Sequence, residues 1–227
     1  MKKLLVTGLV LLMCGAAAIP ASADNVTWTQ WSSTFSTGTT AGSASGSAGA
    51  ISVAYSGEVE NLFFNYPSWG PAGTFDGGTV SNAPPAAGGI IQLFGGQANG
   101  TIDTITFSQA VTNPVMAIWS LGQGGDTAEF LFGSSEPFTI ESGGPSNEYN
   151  GLSITDCTNA VCGAEGNGTI QFNGTFTSIS WTNPYYENWY GFTVGVPDQS
   201  AAVPEPASLA LLVSGLAGMG LLRRRRS

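Results

Sequence analysis

Three sets of side chains in this chain have types and spacings suited to chemistry. The first is its carboxylates. Over 227 residues there are 15 Asp and Glu, 6 Lys and Arg, and no His. All six cations are terminal, at Lys2, Lys3 and Arg223 to Arg226, so residues 24–202 hold 14 acids (15 less Glu205) and no base. Asp126 with Glu129, and Glu58 with Glu60, are close enough in sequence to share an ion. A structural calcium at Asp126 and Glu129 is therefore one expectation, although no EF-hand loop supplies the six to eight oxygens calcium takes. The rival expectation is acids that merely solvate the surface; Glu58 and Glu60 alternate along a strand and so share one outer face. A carboxylate-paired hydrolase such as a glycosidase is the catalytic alternative. With no His, Lys or Arg to run most acid–base or nucleophilic steps, the body reads as non-catalytic. Nucleic acid is excluded as a partner, because phosphate binding rests on Lys and Arg.

Cys157 and Cys162 form the second set, spaced C-x4-C. Two cysteines this close in an exported chain read as a disulfide that staples a surface loop. The rival is a metal or redox pair. Redox dithiols are more often C-x-x-C, and zinc would need further ligands that a histidine-free body supplies only as carboxylates. The third set is aromatic: Trp181, Tyr185, Tyr186, Trp189 and Tyr190 crowd around Asn183-Pro184. Tyr185, Tyr186, Trp189 and Tyr190 are candidate contacts for a carbohydrate, since planar rings beside Asn and Glu stack on sugars. The competing reading has these rings closing one end of a core, with Trp181 assigned to the core.

The elements positioning these groups read as β throughout. No stretch carries a 3.6-residue apolar period over three turns; short alternating runs recur between Gly- and Asn-rich turns. Strands are expected at Val26 to Trp31, Ala50 to Tyr55, Val59 to Phe64, Thr101 to Phe107, Val115 to Trp119 and Ala128 to Phe132. Others follow at Phe138 to Glu141, Ile170 to Phe172, Thr175 to Trp181 and Phe192 to Val196. Asn173-Gly174 predicts a type I′ hairpin between Gly168 to Phe172 and Thr175 to Trp181. Gly38 to Gly49 (GTTAGSASGSAG) predicts a long mobile loop. The fold class expected is all-β: a two-sheet antiparallel sandwich or jelly roll over residues 24–202.

Both ends read as topogenic signals. Lys2 and Lys3, an apolar run from Leu4 to Ala18 and Ala21-Ser22-Ala23 before Asp24 have the layout of a signal peptide over residues 1–23, a substrate of the Sec machinery. At the other end, Val203-Pro204-Glu205-Pro206 precedes uncharged Ala207 to Leu222 and then Arg223-Arg224-Arg225-Arg226. Sixteen helical residues span about 24 Å, close to a bilayer's hydrocarbon core once arginines snorkel. The arginine block sets the orientation, leaving Ser227 in the cytoplasm. Pro204 and Pro206 keep the preceding peptide extended and accessible.

This tripartite tail, residues 203–227, resembles the PEP-CTERM sorting signal of Gram-negative bacteria. Ile105 to Gly122 also resembles a strand–turn–strand segment of secreted PEP-CTERM bodies. The resemblance implies recognition of Pro204, Glu205 and Pro206 by an exosortase. It further implies transient membrane anchoring, then release or transfer to the cell surface, in a setting of exopolysaccharide and biofilm. The function expected is an exported, non-catalytic surface or matrix protein with polysaccharide as partner and no obligatory cofactor.

Overall fold

A computed structural model of the protein describes residues 23–35, 39–96 and 101–198. The first strands are β1 (Val26–Trp28), β2 (Gln30–Phe35), β3 (Thr39–Ala48), β4 (Ile51–Val59), β5 (Asn61–Phe63) and β6 (Ile90–Leu93). The next are β7 (Asp103–Thr112), β8 (Val115–Leu121), β9 (Ala128–Phe132), β10 (Phe138–Gly143), β11 (Leu152–Ser153) and β12 (Thr155–Asp156). β13 (Ala160–Gly163), β14 (Gly166–Phe172), β15 (Thr175–Thr182) and β16 (Tyr190–Pro197) complete the set. Among the described residues the only helical element is one 3₁₀ turn, Ala86–Gly88. None of their helices is long and apolar enough to cross a membrane. The expected signal helix and membrane helix fall outside the described residues.

The strands form two sheets, antiparallel except for the β11–β14 pair. The first runs β10-β14-β8-β16-β6-β5, with β1 on β16 and β11 on β14. The second runs β12-β13-β9-β15-β7-β4-β3-β2. One core joins them: Met116, Ile118, Ile170, Phe192 and Val194 of the first sheet meet Val53, Tyr55, Ile105, Phe130 and Trp181 of the second. The first sheet is buried on its other face too. Val115, Ala117 and Trp119 alternate away from the core and pack on Trp69, Phe75 and Val80 of the long segment between β5 and β6. Every residue of β8, β14 and β16 is consequently buried; the apolar runs of β8 and β16 follow from two-sided cover, whereas β14 also buries Asn167, Thr169 and Gln171.

Three expectations are corrected. The stretch expected as a loop, Gly38 to Gly49, is a strand over its described residues Thr39–Ala48: this is β3, paired with β4 at Thr39 and from Gly42 to Ala48 and with β2 from Ser43 to Ser47. Its glycines serve close approach, since a Cβ at Gly46 would stand 2.9 Å from Trp31 Cα. Asn173-Gly174 is not a hairpin turn. β14 lies in the first sheet and β15 in the second, so the dipeptide carries the chain across the core. Pro137 O and Asn113 Oδ1 hold its two N–H groups at 2.7 and 3.0 Å. Val26 to Trp31 is two strands, one in each sheet.

The second sheet turns its other face to solvent. There β3 presents Ser43, Ser45 and Ser47, β4 Ser52, Ala54 and Ser56, β7 Thr104, Thr106 and Ser108, and β15 Ser178 and Ser180. Register aligns Ser43, Ser56, Thr104 and Ser180 in one cross-strand row. Thr104 and Ser180 hydroxyls bond at 3.0 Å. No charged side chain interrupts these four strands on that face.

Candidate functional site

The aromatic segment links β15 to β16 and so passes from one sheet to the other. Proline 184 breaks the strand, and the loop is then tied down from both sides. Trp181 Nε1–H donates to Asn183 Oδ1 at 2.9 Å, and Asn183 Nδ2–H to Glu129 O at 2.9 Å. Gly96 N–H reaches Asn183 O, and Glu187 N–H reaches Phe94 O. Gly96 holds φ of +70°, and a Cβ there would collide with Tyr186, so its glycine conformation lets the two loops touch.

The four candidate rings separate. Tyr185 and Tyr186 project into solvent, 54% and 61% exposed. Tyr186 stands edge-on to Phe94 at 6.0 Å and donates its hydroxyl to Asn188 Oδ1. Trp189 is half-buried, packed edge-on to Trp119 at 4.6 Å and stacked on Phe63 at 5.5 Å. Tyr190 is fully buried, which corrects its assignment as a carbohydrate contact. Strand alternation from Tyr190 through Phe192, Val194 and Val196 aims all four into the core. Trp181 is core, as expected.

Sequence reading missed most of this aromatic wall. Tyr66 meets Trp119, Trp189 and Phe63, and its hydroxyl bonds that of Tyr149 at 3.2 Å. Tyr149 packs on Trp119 at 5.2 Å while remaining half exposed. Phe64 is also about half exposed. These residues come from segments far apart in sequence, and their ring type was the only signal available.

Carboxylates sit beneath the wall. Glu187 is 4% exposed; its Oε1 accepts Trp189 N–H at 2.9 Å, while its buried Oε2 has no partner. Burial pushes its pKa up to about 7, backbone N–H donors pull it down, and Glu165 adds repulsion. Glu165, at φ +59°, accepts the Ser120 hydroxyl at 2.8 Å. The indole N–H of neighbouring Trp119 is buried without a partner. The site thus offers solvent-facing rings, amide and hydroxyl groups, and the two acids Glu165 and Glu187, with no cation.

Glu58 overturns the solvated-face reading. It is buried, its carboxylate accepting Phe94 N–H at 3.1 Å and Gly95 N–H at 2.9 Å. The chain leaves the second sheet here for β5 of the first, which turns Glu58 inward, whereas Glu60 is half-buried. Beside Glu58, Asp103 Oδ1 accepts the Tyr55 hydroxyl at 2.6 Å and Glu58 N–H at 2.8 Å. Burial lifts Asp103 to about 7 against those two bonds, and lifts the Tyr55 and Tyr190 phenols as well.

Asp126 is exposed and accepts the Gln123 side-chain amide at 3.3 Å. Glu129, half-buried on β9, directs its carboxylate to Cys162 Sγ at 3.7 Å. Cys157 and Cys162 form a disulfide, with Cα atoms 6.1 Å apart. It closes the exposed turn between β12 and β13 at a sheet edge, the surface-loop staple expected. Asp24 is tied into the body, its N–H donating to Thr79 O at 2.7 Å. Ala23 is exposed, whereas Ala21, Pro204, Glu205, Pro206 and Arg223 to Arg226 fall outside the described residues.

No curated protein and no solved structure matches the chain. Residues 202–226 match the family model of the PEP-CTERM protein-sorting motif, which implies export, membrane anchoring and processing by an exosortase. The chain therefore carries a PEP-CTERM sorting motif.

Proposed function

We propose that the β body is a non-catalytic module that holds neutral polysaccharide at the cell surface or in the extracellular matrix once its tail is processed. The observation carrying this reading is the pair of solvent-facing rings, Tyr185 and Tyr186, beside Asn188 and next to the Trp189–Tyr66–Tyr149 wall. Rings of this kind stack on sugars, and the amides and carboxylates accept sugar hydroxyls. A body with 14 acids and no base repels anionic polymers, so the partner is neutral. An uncharged exopolysaccharide of a biofilm fits that description.

The test is a glycan array and affinity electrophoresis in neutral polysaccharide gels. Retardation of the native protein, lost in the Tyr185→Ala/Tyr186→Ala double variant, supports the reading. Equal mobility of both proteins in every gel tested removes it.

One observation favours a second reading, a glycoside hydrolase. Glu187, raised to about 7 next to Glu165, has the profile of a general acid beside a carboxylate. Release of reducing ends from a polysaccharide, abolished by Glu187→Gln, would decide for the enzyme.

A further inference from the structure

We propose that the Cys157–Cys162 disulfide is one state of a redox-gated zinc site whose third ligand is Glu129. The β12–β13 hairpin is tight: Thr158 and Asn159 both hold positive φ, at 57° and 61°, and Cys157 N–H bonds Ala160 O at 3.0 Å. Register then places Cys162 beside Thr155 on one side and opposite Glu129 of β9 on the other. One Glu129 oxygen and the two sulfurs lie within 4.8 Å of one another, and all three residues are half-buried.

The distances suit zinc. Bonds of about 2.3 Å to sulfur and about 2.0 Å to oxygen at a tetrahedral angle separate the two ligand atoms by about 3.5 Å. Cys162 Sγ and Glu129 Oε2 already stand 3.7 Å apart. Only the bonded Cys157 sulfur has to swing away, and the hairpin and β9–β13 hydrogen bonds keep all three anchors in place when the S–S bond opens. Reduced and deprotonated, the cluster carries two thiolates and a carboxylate in a body with no Lys, Arg or His to neutralise them. Thiolates select zinc over calcium. Solvent water completes four-coordination at this half-open edge.

A dithiol reductant supplies two electrons and two protons, breaking S–S to give two thiols and its own disulfide. Zinc then displaces both thiol protons to solvent. A two-electron oxidant reverses the sequence, re-forming S–S and expelling Zn²⁺.

The test uses the full chain, its third cysteine removed by Cys14→Ser, in mild detergent, reduced anaerobically with a phosphine and titrated with Co²⁺. A thiolate-to-cobalt charge-transfer band saturating at one equivalent and bleached by Zn²⁺ is expected, with no band in the oxidised protein. Glu129→Gln should weaken binding about tenfold or more, and Cys157→Ser should remove the tetrahedral signature. Near-ultraviolet circular dichroism of the reduced, metal-free protein reports whether the body stays folded. Cys157→His gives a parallel readout that needs no reduction, since it offers imidazole, Cys162 and Glu129 and forms no disulfide. No band in either protein overturns the proposal. So does cobalt binding that Glu129→Gln leaves unchanged, because the site would then be a bare dithiol.

Discussion

Asp103 carries the most consequential single proton in the body. Its carboxyl is buried among Tyr55, Glu58 and Tyr190, and burial lifts its pKa from 3.8 to about 7. Between about pH 4 and 7 the folded state therefore holds a proton that the unfolded chain has released. Stability is greatest at the acid end, falls as pH rises through this window, and is flat above it. The loss is on the order of 4 kcal/mol at most. Asp103→Asn keeps an acceptor for Tyr55 and the Glu58 N–H but cannot ionise. Urea denaturation from pH 4.5 to 7.5 should give a clearly flatter profile for the variant; parallel profiles would contradict this account. Glu187 titrates in the same direction and is common to both proteins. Neither acid stood out in the sequence, because burial, not residue type, sets them apart.

At the scale of elements, a glycine does what no other residue permits. Gly57 sits at φ +148° opposite Gly42, and a Cβ there would collide with the Asp103 carboxylate. Gly57→Ala should cost at least about 2 kcal/mol, read as a lower urea midpoint with unchanged m-value. The disulfide closes so short a loop that Cys157→Ser/Cys162→Ser should cost only about 2 kcal/mol in the same assay. Strands with clear alternation were legible in advance: Ala128–Phe132 was read to the residue, and Thr175–Thr182 nearly so. What failed was pairing. Asn173-Gly174 has hairpin composition, yet Phe172 and Phe176 pack across the core and draw its flanking strands into different sheets. β3 failed for another reason: Gly, Ser and Ala have weak strand propensity, and only the neighbouring strands select an extended chain there. The aromatic site was half legible. The Tyr185–Tyr190 crowding is local in sequence, whereas Tyr66, Trp119 and Tyr149 meet it only through the fold.

At the scale of the whole molecule, charge geography and the sorting motif act together. All cations lie at the two ends, and residues 202–226 carry the PEP-CTERM motif. Replacing Pro204, Glu205 and Pro206 with alanine should leave the protein in the membrane fraction with its tail intact by mass spectrometry. The unaltered chain should yield a species starting at Asp24 and ending near Pro204. Equal processing of both would separate the motif from the cleavage. The body that results has one wall unlike the rest, the seryl and threonyl side of β3, β4, β7 and β15. None of its hydroxyls gains or loses a proton at any pH a cell meets, and none attracts counter-ions. The fixed charge of this wall is accordingly nil in brine and in rain alike, while the acid-bearing remainder of the surface answers to every change of salt.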